Sequence, residues 1–118
     1  MAIAMAAMYT ANHYNIRAII ALTESGATPL WMSRIRSGIP MYALAHSVQT
    51  TRRLTLYRGV YPIYFDIEKL DKRYINDLAI AKLKKYGVLR KADRILITYG
   101  DLLQTAGGTN TLKILEVP

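Results

Sequence analysis

Five short apolar runs, separated by helix-patterned or turn-forming stretches, constrain this chain more than any other feature. They are RAIIAL (17–22), IPMYALA (39–45), VYPIYF (60–65), RILITY (94–99) and TLKILEV (111–117). Runs of this length, rich in Ile, Val and Tyr and bounded by Gly, Pro or Asn, read as buried strands. Helical patterns fill the gaps between the first four. Residues 29–37 form one, with Thr28 as N-cap, Pro29 in the first turn and Gly38 as the stop. Residues 48–58 form the next, closed by Gly59. Residues 71–86 form the longest, with Ile75, Leu78, Ala79, Leu83 and Tyr86 on one face and Lys82, Lys84 and Lys85 where cations complement the helix dipole. Strands that alternate with helices imply a parallel sheet covered on both faces. No helix separates the last two runs, so the fifth strand is predicted antiparallel. Pro62 lacks a ladder N–H and places the third strand at a sheet edge. The fold class is α/β: a three-layer α/β/α sandwich around a five-stranded mixed sheet whose last strand is antiparallel.

A helix over residues 3–13 precedes the first strand. Nearly all its residues are apolar or small, which predicts packing on more than one face. A chain that opens on a core-type helix reads as part of something longer. The N-terminal apolar run carries no basic segment and stops at Tyr9, short of the ~20 residues that span a bilayer. With 118 residues and 52% apolar types, residues 1–118 suit a single domain, of which 1–16 are the leading helix. The absence of cysteine excludes disulfides, thiol nucleophiles and Cys-based metal sites.

Chemistry is expected in two loops, because ligands of open parallel sheets bind beyond the carboxyl ends of the strands. The first is TESGAT (23–28). Hydroxyls of Thr23, Ser25 and Thr28 can donate to phosphate oxygens, Gly26 permits close backbone approach, and the N–H groups at the helix start favour an anion. The same residues also make an ordinary strand–helix turn. The second is GDLLQTAGGTN (100–110), longer than the usual 4–6 residues. Its Gly107, Gly108, Thr109 and Asn110 can present N–H groups and hydroxyls. The two loops face each other if the first and fourth strands are neighbours.

Other chemistries find little support. His13 and His46 stand in different segments without metal-ligand spacing, so no metal site is expected. Ser25 lies in E-S-G rather than G-x-S-x-G, and no catalytic grouping is legible. The net charge of +8 suits an anionic ligand, but Lys82, Lys84, Lys85, Arg90 and Lys91 lack the aromatic pattern of a nucleic-acid surface. Neither nucleic acid nor membrane is expected as a partner. Trp31 and Ile35, four apart, have core spacing.

The stretches AIIALTESGATPLWMSRIRSGIP (18–40), LYRGVYPIYFD (56–66), KADRILITYGD (91–101) and GGTNTLKI (107–114), with MYTANHY (8–14) ahead of them, resemble the C-terminal domain of pyruvate kinase in its bacterial A-type form. The resemblance runs in order through essentially the whole chain, and TESG, YRGV and GTNT at these separations are jointly specific. It implies a five-stranded sandwich with its last strand antiparallel, carrying an allosteric effector site. By resemblance, Thr23, Ser25, Gly26, Ala27 and Thr28 form the effector phosphate loop, and the 100–110 segment closes over the effector with Gly107, Gly108 and Thr109. Relatives activated by fructose 1,6-bisphosphate commonly carry a basic residue in the phosphate loop, where this chain has Glu24 and Ala27. The arginine that eukaryotic forms use for a second phosphate would fall near Ile75. Both departures favour a one-phosphate effector such as AMP or ribose 5-phosphate.

The resemblance further implies that this domain has no catalytic residues and no cofactor of its own. The catalytic barrel, with its magnesium and potassium, is absent from these 118 residues. The implied partners are a phosphorylated small molecule, the catalytic domains of the same polypeptide and further copies, a tetramer for the whole enzyme and a dimer for this domain. The implied location is cytoplasmic. A free-standing phosphate or nucleotide sensor of the same fold is the alternative.

Overall fold

A computed structural model describes residues 2–23, 26–35, 38–66, 74–99 and 111–118. In chain order the elements are α1 (Ala2–His13), β1 (Ala18–Leu22), α2 (Ala27–Ser33), β2 (Met41–Ala45), α3 (Val48–Leu54), β3 (Val60–Tyr64), α4 (Ile75–Lys85), β4 (Arg94–Tyr99) and β5 (Thr111–Glu116). All five strands join one sheet in the order β3-β2-β1-β4-β5. The first four are mutually parallel and β5 is antiparallel to β4. The α/β class and mixed five-stranded sheet are as the sequence predicts.

The period-two alternation of the central strands divides the core. Ile20 and Leu22 of β1, with Ile95 and Ile97 of β4, face α4 and its Ile75, Ala79, Ile80 and Leu83. Ile19 and Leu96 point the other way, toward Ala7 and Met8 of α1, Met32 of α2 and Leu54 of α3. Both faces of the sheet are covered, which is why β1 is buried along its whole length. The helices divide this way because crossovers are right-handed. The chain steps from β1 through β2 to β3 in one direction, then passes to the far side of β1 for β4. Reversing the direction moves the connecting helix to the opposite face. β1 and β4 therefore flank a topological switch point, with both carboxyl ends at the same edge.

Pro62 sits where its missing donor costs least, in edge strand β3 opposite Ala43. β5 forms the other edge, in unbroken register with β4 from Arg94–Glu116 to Tyr99–Thr111. The C-terminus of α4 is closed by a reciprocal pair of bonds: the Val88 N–H donates to the Leu83 carbonyl at 3.2 Å and the Gly87 N–H to Lys84 at 3.0 Å. Gly87 has φ +81°, which this closure requires.

Several helical expectations are corrected. Helix α2 begins at Ala27 and ends at Ser33 rather than spanning 29–37. The Arg34 and Ile35 N–H groups donate to carbonyls three residues back, and the Ser33 hydroxyl donates to Leu30, so the last turn tightens before Gly38 is reached. Helix α3 stops at Leu54 rather than Arg58 in the same way, with the Thr55, Leu56 and Tyr57 N–H groups bonded three residues back. Its start is capped by Ser47, whose Oγ accepts from the Thr50 N–H. Helix α1 buries one stripe, Ala4, Ala7, Met8 and Ala11, while Met5 (65% exposed) and Tyr9 face outward. On α4, Leu78 and Tyr86 are exposed and Ile80 takes the buried position. Trp31 is 45% exposed beneath the Arg34 guanidinium, 5.0 Å from its ring, and α2 buries Thr28, Pro29 and Met32 instead.

Candidate phosphate-binding site at the strand switch point

The first candidate loop leaves the sheet at the switch point. Thr23 continues β1, its N–H donating to the Leu44 carbonyl of β2 at 3.0 Å. Its side chain is buried, and Oγ1 accepts from the Gly26 N–H at 2.9 Å. That bond folds the chain back at the end of the strand and leaves the Thr23 hydroxyl proton to donate elsewhere. Gly26 occupies the N-cap position of α2 with φ +85° and ψ +5°, and no side chain caps the helix.

One expectation is corrected, and one constraint is added. Thr28 is not the N-cap: it lies inside the first turn of α2 and is buried. The Gly26 N–H is held by Thr23 and is not among the donors a ligand could use. The need for glycine at 26 is conformational. A Cβ there would point toward Thr50, Leu54 and Tyr57 at 3.5–3.7 Å, an ordinary contact distance, so the left-handed φ is what excludes other residues. Ala27 is half-buried at the first helical position. Ser25, with Glu24, lies outside the described residues, as do Gly107, Gly108 and Thr109 of the second loop.

The adjacency on which the two-loop site depends is present. β1 and β4 pair in parallel, with Ala21 beside Thr98, so the turn at Thr23 begins next to the end of β4, about 5 Å away across the ladder. The Oγ1 of Thr98 is fully buried one residue short of that edge and has no hydrogen-bond partner among the described residues. Sequence reasoning did not single out Thr98, because a threonine inside a strand carries no signal of its hydrogen bonding. His46 follows β2 at the same edge of the sheet. Ile75, the first residue of α4, is buried in the core and presents nothing to a ligand.

The remaining candidates are placed elsewhere. The His13 ring stacks on Tyr9 at 4.1 Å, with its Nδ1 2.7 Å from the Tyr9 carbonyl oxygen. Among the described residues no group of three or more acidic or histidine side chains could hold a metal ion. Two members of the basic cluster are in structural use: Lys82 Nζ donates to the Tyr64 carbonyl and Lys84 Nζ to Pro118. Among the described residues no helix is long and apolar enough to cross a membrane.

A mostly parallel five-stranded sheet with a tight turn at its switch point defines a class of small α/β domains. Within that class, residues 1–115 match the family model of the pyruvate kinase alpha/beta domain, and the chain belongs to that family. It is 48% identical over 117 residues to a pyruvate kinase of Buchnera aphidicola from Acyrthosiphon pisum, and 44% identical to pyruvate kinase II of Salmonella typhimurium. Each alignment covers 98% of this chain and 24% of the relative. The crystal structure of a pyruvate kinase from Cryptosporidium parvum superposes with a TM-score of 0.83 at 25% identity, over 99% of this chain and 22% of that one. The chain thus spans about a quarter of the length of these relatives, in their C-terminal region.

Proposed function

We propose that this domain is the effector-binding and oligomerisation part of a pyruvate kinase, and that its site takes a singly phosphorylated metabolite, AMP or a sugar monophosphate such as ribose 5-phosphate. The observation that carries the reading is the position of the Thr23–Gly26 turn at the β1/β4 switch point, beside the carboxyl end of β4. The phosphate would sit at residues 23–28, with the Thr23 and Ser25 hydroxyls donating, and Gly107, Gly108 and Thr109 would close over it. Each hydrogen bond to the charged group is worth about 1.5–3 kcal/mol.

In the whole enzyme, phosphoenolpyruvate and ADP give pyruvate and ATP in cytoplasmic glycolysis. The catalytic groups, with magnesium and potassium, would belong to the part of the relatives this chain does not span. An effector bound here would act by its differential affinity for two conformations of the assembled enzyme. Titration calorimetry with AMP and with ribose 5-phosphate tests the site. Ser25→Ala should weaken both by about ten-fold without lowering the thermal midpoint, and Thr23→Ser should bind better than Thr23→Val. Equal affinity in the parent and every variant would place the site elsewhere.

A further inference from the structure

Away from the switch point, three methionines from three different elements converge on one cavity. Met8 of α1, Met32 of α2 and Met41 of β2 line a cavity of about 100 Å³, together with Ile35 and Ile39. These are three of the five methionines in the chain, and all three are buried. Protein interiors are close-packed, so a recess of this size means that surrounding side chains forgo contacts they would otherwise make. Methionine is the side chain that best tolerates such a recess, being unbranched and polarisable and able to reshape around an inserted group.

The mouth has a different character. Arg34 and Arg58 stand there, both exposed, and no carboxylate is among the described residues lining the cavity. The Arg34 guanidinium is held 5.0 Å over the Trp31 ring, which limits its freedom. An apolar floor beneath two cations complements one kind of ligand, a small hydrophobic body bearing a single anionic head. Sulfur favours aromatic edges. The cavity, at about 100 Å³, is smaller than the ~150 Å³ that admits a benzene ring in an apolar protein cavity, so a ring enters only as the methionine side chains move aside.

We propose that this cavity binds a small aryl carboxylate, its ring seated against Met8, Met32 and Met41 and its carboxylate bridged by Arg34 and Arg58. The site is separate from the proposed effector loop. The two guanidiniums set the preference for an acid over an amine, and the methionines set the size of the ring.

The test uses the 118-residue chain labelled at its methionine methyl groups, titrated with phenylacetate and followed by NMR. The methyls of Met8, Met32 and Met41 should shift saturably at millimolar concentration, while Met5, on the exposed stripe of α1, stays still. Phenethylamine, with the same ring and the opposite charge, should give no saturable shift. Arg34→Gln combined with Arg58→Gln should weaken phenylacetate about ten-fold. Both arginines are exposed, so this variant should keep the parent spectrum. The proposal is overturned if the three methyls do not saturate, if the amine binds as tightly as the acid, or if the double variant binds phenylacetate like the parent.

Discussion

The Thr98 side chain lies on β4 between Ala21 of β1 and Leu112 of β5, wholly removed from solvent. Its hydroxyl has no partner among the described residues, and a buried unsatisfied polar group costs about 1–3 kcal/mol. Valine has nearly the same shape without the hydroxyl. Thr98→Val should therefore leave stability unchanged or raise it by about 1 kcal/mol, read as the midpoint of urea unfolding. A loss of stability would mean that the hydroxyl is bonded in solution. Single residues were also where sequence patterns misled. The Trp31–Ile35 spacing fits a core stripe, yet α2 buries Thr28, Pro29 and Met32 and leaves Trp31 exposed. Seven helical residues are too few for periodicity to choose a face, and the choice fell to how α2 meets α1.

At the scale of elements, glycines that look equivalent in the sequence do different work. Gly38 and Gly87 both follow helical patterns. Gly87 closes α4 at φ +81°, whereas Gly38 lies outside the left-handed region, five residues beyond the end of α2. A Cβ would meet nothing within 4 Å at either position, so backbone conformation alone separates them. Gly87→Ala should cost about 1 kcal/mol, and Gly38→Ala should be neutral or stabilise by a few tenths of a kcal/mol through the unfolded chain. Chemical denaturation of the two variants decides it: equal effects would refute the assignment of the α4 closure. The strands were legible to within one or two residues because a short apolar run between turn residues has few other uses. Helix ends were less so, since tightening of the last turns of α2 and α3 depends on bonds between residues three apart that no composition signal marks.

For the whole molecule, the sheet leaves two edges of unequal character. β3 carries Pro62 and a neighbouring Lys82 side chain bonded to Tyr64, both of which hinder strand addition. β5 is six residues long, pairs without interruption on its inner side and leaves Ile114 44% exposed. Lys113 and Glu116 guard it only in part. Self-association through β5 as a two-fold pair, antiparallel across the axis, is the expected outcome. Sedimentation at high micromolar concentration should show a dimer, and Ile114→Lys should return it to monomer. A parent chain that stays monomeric would refute this expectation.

Strand number, the single antiparallel strand and the edge position of Pro62 follow from sequence alone, because each rests on local chemistry: apolar period, helix presence between strands and a missing N–H. The TESGAT composition likewise marks a tight turn that could meet an anion. Only the tertiary structure decided that β4 lies beside β1, since strand order depends on which face each crossover helix covers. That adjacency brings Thr23 and Thr98 to one edge. The fold also turned the Thr23 oxygen inward onto Gly26 and gathered Met8, Met32 and Met41 around one recess. These residues are far apart in the chain and carry no mutual pattern, so their meeting is a property of packing rather than of spacing.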